Sequence, residues 1–158
     1  MTQQTVIPQL RMTNAERSLA FYVEGLGFQV DWTHQFEAGY PLFVQLTRAG
    51  QTLFLTEHSG DCQVGGAVYF RVPDARACFA EFTGNGVVSM GGVVDTPWGT
   101  RELLVTDPDA EPLLYAAAVD VLVQLQAAPP SPGLPNLSAR DWAGAAAMAL
   151  SVYAKAAT

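Results

Sequence analysis

The chain has 158 residues, two cysteines, and fifteen acidic residues against eight basic ones, for a net charge of −7. A chain of this length can bury roughly 70% of its unfolded surface, so it needs no disulfide framework to hold a core. The acidic balance lacks the basic footprint of a nucleic-acid binder, and no nucleic-acid partner is expected.

The first ten residues, MTQQTVIPQL, have neither a basic start nor a long apolar run, so neither a secretory signal nor a membrane anchor is predicted. Cys62 and Cys78 lack C-x-x-C spacing and read as free thiols, which places the expected protein in the reducing cytoplasm. A first strand is predicted over residues 6–12, at an edge, because Pro8 cannot donate to a ladder. Asn14 then offers an N-cap, Leu19, Tyr22, Val23 and Leu26 form one apolar stripe, and Gly25 and Gly27 supply a stop. Residues 28–36, FQVDWTHQF, alternate apolar and polar and read as a strand. Residues 42–47 and 51–57 read as a hairpin around Arg48-Ala49-Gly50.

After the loop HSGDCQVGG the same pattern returns about sixty residues later, too long for a solenoid unit and suited to a duplicated half-domain. A strand over 67–72 leads to Asp74 as the second cap, Cys78, Phe79 and Phe82 as the stripe, and Gly84 and Gly86 as the stop. A strand over 87–94 follows, then a hairpin of 101–106 and 111–115 joined by DPDA. One offset lays Ile7 on Ala67, Asn14 on Asp74 and Phe54 on Leu114. The predicted fold class is α+β, with two tandem βαβββ modules in residues 1–118. Residues 119–158 are predicted to be an extension: a proline-rich linker over 127–136, then an alanine-rich helix that docks on its own domain or on a partner subunit.

Asn14 to Phe28, N-x-E-R-S-L-A-F-Y-x-x-G-L-G-F, and Trp98 to Asp109, W-G-T-R-E-L-x-V-x-D-P-D, resemble the glyoxalase, bleomycin-resistance and extradiol dioxygenase superfamily. The resemblance implies that the modules form a curled mixed sheet around a cavity, which in many members is completed by a second chain, so a homodimer is expected. Enzymes of that superfamily mostly hold a divalent metal at positions that fall here on Ile7, Phe54, Ala67 and Leu114. None of these side chains has a lone pair to give, so no metal, no other cofactor and no catalytic residue is assigned.

What remains resembles the resistance-protein branch, and it implies sequestration of a bulky cationic or aromatic small molecule without chemistry. The candidate ligand-binding rings are Trp32, Phe36, Tyr40, Phe43, Phe54, Tyr69 and Trp98. Thr56 and His58 join them by alternation from Phe54, and Glu102 follows the Pro97-Trp98-Gly99-Thr100 turn at the expected pocket mouth, or else serves in a surface salt bridge. The alternative is a lyase, isomerase or dioxygenase of the same superfamily working through His58 or Glu57. Adjacent residues on a strand face opposite ways, so these two cannot share one cavity while the strand continues.

Overall fold

Asn14 has extended backbone and its Oδ1 accepts from the Arg17 N–H at 2.8 Å, which starts helix α1 at Ala15–Leu19. The computed structural model describes residues 4–119, and the linker and tail helix expected beyond them lie outside the described residues. Helix α1 passes directly into a π-helical segment, Ala20–Gly25, a widening that the apolar periodicity did not foretell. Asp74 repeats the cap by accepting from the N–H groups of Arg76 and Ala77, and it starts α2 at Ala75–Gly84.

Of each expected glycine pair, the second makes the stop: Gly27 and Gly86 have φ of +72° and +83°, while Gly25 and Gly84 remain helical. Gly25 has a separate task. A Cβ there would lie 2.9 Å from Val87 Cγ2, and its carbonyl accepts from Asn85 Nδ2, so the ends of the two helical segments lock together.

The strands form two four-stranded mixed sheets of identical plan. In the first, β1 (Gln9–Arg11), β2 (Gln29–His34), β3 (Phe43–Arg48) and β4 (Gln51–Thr56) lie in the order β1-β4-β3-β2, with β1 parallel to β4. In the second, β5 (Val68–Arg71), β6 (Val94–Asp95), β7 (Thr100–Thr106) and β8 (Pro112–Ala118) lie in the order β5-β8-β7-β6, with β5 parallel to β8. The repeated order is the expected βαβββ duplication.

One predicted strand is largely absent. Residues 87–94 follow β7 through a single bridge, Met90 with Val105, and regular pairing begins only at Val94. Gly91 and Gly92 have no side chains to pack, and the segment instead bonds irregularly, with the Thr106 N–H donating to the Ser89 carbonyl at 2.7 Å.

Alternation sorts each sheet into two faces. Leu10, Val44, Leu46, Leu53 and Leu55 from the first sheet join Phe70, Leu103, Val105, Leu113 and Tyr115 from the second in one buried core. Tyr22, Leu26 and Phe82 from the helical segments complete it, and Phe28 meets Phe70 across the module boundary at 6.0 Å. The opposite faces carry the candidate site. Among the described residues, Cys62 and Cys78 are free thiols, and no helix is long and apolar enough to cross a membrane.

Candidate functional site

The first face is built on the β3–β4 hairpin, whose register pairs Phe43 with Thr56 and Gln45 with Phe54. The edge strand β2 adds Trp32 opposite Gln45 and His34 opposite Phe43. Trp32 stacks on Phe43 with centroids 5.8 Å apart and planes 11° from parallel, and Phe54 tilts against both, at 6.0 and 5.2 Å. Three rings therefore make a continuous wall with Trp32 outermost and 43% exposed. His34 and Phe36 meet edge to face at 4.7 Å, and Phe36 reaches His58 at 6.3 Å. Trp32, His34, Phe36, Phe43, His58 and Asp61 line an open cavity of about 330 Å³, within the range that small-molecule sites occupy.

Several expected site residues take other places. Thr56 is on the predicted face but fully buried, and its hydroxyl is spent locally: it donates to Asp61 Oδ2 at 2.9 Å and accepts from the His58 N–H at 3.0 Å. Tyr40 lies in the loop before β3, where its carbonyl accepts from Gln35 Nε2, and it is not part of the cavity wall. Glu57 leaves the candidate catalytic set, because Oε1 accepts from the Ala15 N–H and Oε2 from the Leu42 N–H. It anchors the start of α1 to the hairpin, and His58 alone of the pair reaches the cavity; β4 ends at Thr56, so strand alternation does not govern either residue.

Tyr69, Trp98 and Glu102 form a second cluster, on the second module. Glu102 is only 2% exposed, and its Oε1 accepts from the Tyr69 hydroxyl at 2.8 Å, Trp98 Nε1 at 3.0 Å and the Thr100 hydroxyl at 2.6 Å. Its neighbour Arg101 forms a surface salt bridge with Asp95 at 2.6 Å. Burial, and then the bond to Glu102, pushes the Tyr69 phenol above its ordinary range. A carboxylate that accepts from three donors fixes two exposed rings in place. Tyr69 and Trp98 are 49% and 54% exposed.

The superfamily's metal does not fit the residues present. The register sets Gln9 level with Phe54 and Tyr69 level with Leu114, so Ile7 and Ala67 lie two residues earlier than the positions facing those strands. Neither set supplies more than one neutral amide and one phenol. Among the described residues, no three His, Cys, Asp or Glu side chains gather as a metal centre would need. Asp31, one of the acidic residues near the candidate rings in sequence, hydrogen-bonds to Gln45 Nε2 and the Thr47 hydroxyl on the aromatic face.

Residues 1–121 match the family described as glyoxalase superfamily protein. The chain belongs to the glyoxalase superfamily. No curated protein matches this glyoxalase-superfamily chain in sequence. Solved structures of similar fold include a bleomycin-binding protein complexed with bleomycin, 19% identical, with a TM-score of 0.58 over 72% of this chain and 98% of that one. An antibiotic-binding protein from Streptomyces sp. CB03234 is 23% identical, with a TM-score of 0.60 over 75% and 98% of the two chains. A glyoxalase-related enzyme from Clostridium phytofermentans is 17% identical, with a TM-score of 0.61 over the same shares. At these identities the likeness shows a common fold, and binding proteins and enzymes both occur on it.

Proposed function

We propose that this glyoxalase-superfamily chain is a non-enzymatic binding protein that sequesters a bulky cationic or aromatic small molecule, in the manner of bleomycin-type antibiotic resistance proteins. The observation that carries the reading is the wall of Trp32, Phe43 and Phe54 along an open cavity, with Trp32 exposed where a ligand ring can lie against it. Sub-micromolar capture needs more than about 8 kcal/mol net. One aromatic stack adds roughly 0.5 to 1.5 kcal/mol beyond area burial, so a single ring is too little. A slot with rings on both sides is needed.

The second face answers that need. Tyr69 and Trp98 present exposed rings braced by Glu102, and a homodimer that sets this face of one subunit over the aromatic wall of its partner would sandwich a flat ligand. The cytoplasm is the expected compartment, with no membrane and no nucleic acid involved. The names of two fold neighbours, a bleomycin-binding and an antibiotic-binding protein, agree with such a role.

Native mass spectrometry of the full chain with metal-free bleomycin tests the proposal. A two-subunit complex that retains the compound, and releases it at unchanged mass, is the expected result. Release of a chemically altered compound would mean catalysis, with His58 the group to examine first.

A further inference from the structure

Strand β2 carries one extra residue. Val30 pairs with Leu46 and Trp32 with Gln45, so the register shifts between them and Asp31 is left over as a bulge. In a regular strand Asp31 and Trp32 would point to opposite faces. Here Asp31 Oδ2 accepts from Gln45 Nε2 at 2.9 Å and Oδ1 from the Thr47 hydroxyl at 2.7 Å. Gln45 is the residue paired with Trp32 on one side and with Phe54 on the other. The bulge thus turns two consecutive residues, a carboxylate and the outermost ring of the wall, onto one face.

Both partners that hold Asp31 are neutral donors. The ion pairs among the described residues join Arg17 to Asp109, Arg48 to Glu81 and Arg101 to Asp95, and none of them engages Asp31. Asp31 is exposed, so a ligand can reach it without any rearrangement of the protein. Asp61 lines the cavity, at the Phe43 end, where the Thr56 hydroxyl binds it, whereas Asp31 is not among the lining residues and stands beside Trp32 on the same face. Asp31 is held by Gln45 and Thr47, farther along β3 from Phe43, and so meets a different part of any molecule laid along the wall.

We infer that Asp31 is the counter-charge of the aromatic slot: among flat aromatic molecules it selects those with a positively charged nitrogen at the ring edge. This rests on the wall being the ligand site. The two hydrogen bonds fix the carboxylate in place beforehand, and the ring beside it favours a cation as well.

Two probes of nearly equal shape separate charge from stacking: N-methylacridinium, a permanent cation, and acridine, uncharged at mildly alkaline pH. Each is titrated into the full-length protein and into Asp31→Asn, Asp31→Glu and Trp32→Ala. Asp31→Asn should lose about fivefold in affinity for the cation and less than about twofold for acridine, the size of a partly exposed charge pair. Asp31→Glu should keep the preference, and Trp32→Ala should weaken both probes. Equal losses for both probes in Asp31→Asn, or no loss for the cation while Trp32→Ala weakens both, would overturn the assignment of Asp31 and leave the aromatic slot standing. If Trp32→Ala changes neither affinity, or the unaltered protein binds neither probe, the slot itself is wrong and this inference goes with it.

Discussion

Trp32 lies nearly parallel to Phe43, with ring centroids 5.8 Å apart, and Phe54 tilts against it at 6.0 Å. The residue is still 43% exposed. Replacing Trp32 by Ala should therefore cost more than about 1 kcal/mol of ligand capture and little folding stability. Calorimetric titration beside thermal unfolding separates the two effects. A large drop in unfolding temperature with unchanged capture would make Trp32 a packing residue.

Asp109 ties the turn between β7 and β8 to the start of α1, across some ninety residues of sequence. It accepts from the Thr13 N–H at 3.1 Å, Arg17 Nη2 at 2.9 Å and the Ser18 hydroxyl at 3.3 Å, and also from the Thr13 hydroxyl. Its side chain is 3% exposed. Asp109→Ala leaves these donors unpaired and should destabilise the fold by about 2–3 kcal/mol in urea unfolding. Aspartate elsewhere in the same turn does not substitute, because Asp107 is already occupied by the Tyr22 hydroxyl and by the N–H groups of Asp109 and Glu111.

Glu111 is fully buried; its Oε1 accepts from the Arg11 N–H at 3.3 Å, and its Oε2 has no partner. Burial first, and the neighbouring Asp107 carboxylate second, raise its pKa from 4.5 to about 7. The folded state therefore holds this proton more tightly than the unfolded chain does. Its stabilising contribution is complete below about pH 4.5 and is lost as pH rises through about 7. Glu111→Gln should remove that decline and gain on the order of 2 kcal/mol above neutral pH. Urea midpoints measured across this range check it, and an unchanged slope would assign the pH dependence to another group.

Ala49 has φ of +50° in the two-residue turn between Arg48 and Gln51, followed by Gly50 at +76°. A side chain without a polar group is poorly suited to the left-handed region, and turns of this kind favour Asn-Gly. Ala49→Asn should raise stability by about 0.5–1 kcal/mol without affecting ligand capture, as denaturant unfolding would report.

Features set by local chemistry were legible in the sequence. Asn14 and Asp74 cap their helices, Gly27 and Gly86 end them, and both hairpins turn where the turn residues stand. The sixty-residue offset carried the duplication, and alternation placed Phe54 on the face away from the core; Glu57 and His58 lie past the end of β4, where alternation no longer applies. What failed to show depends on pairing between strands. FQVDWTHQF alternates regularly on paper, so nothing in it marks Asp31 as an extra residue; only the register against Leu46 and Gln45 does. Likewise, the burial of Glu102 comes from three donors that lie on β5, on the turn after β6 and at the start of β7. The pairing of Gln9 with Phe54, two residues along from Ile7, is also a fact of register and could not be read from the repeat.

The most direct test of the account is a tryptophan-fluorescence titration of the full chain with metal-free bleomycin, since Trp32 and Trp98 sit on the two faces proposed to meet across the ligand. Saturable quenching at a simple ratio of ligand to subunit, largely lost in Trp32→Ala, is the predicted result. Saturable quenching that survives Trp32→Ala unchanged would contradict the claim that the wall of Trp32, Phe43 and Phe54 captures the ligand.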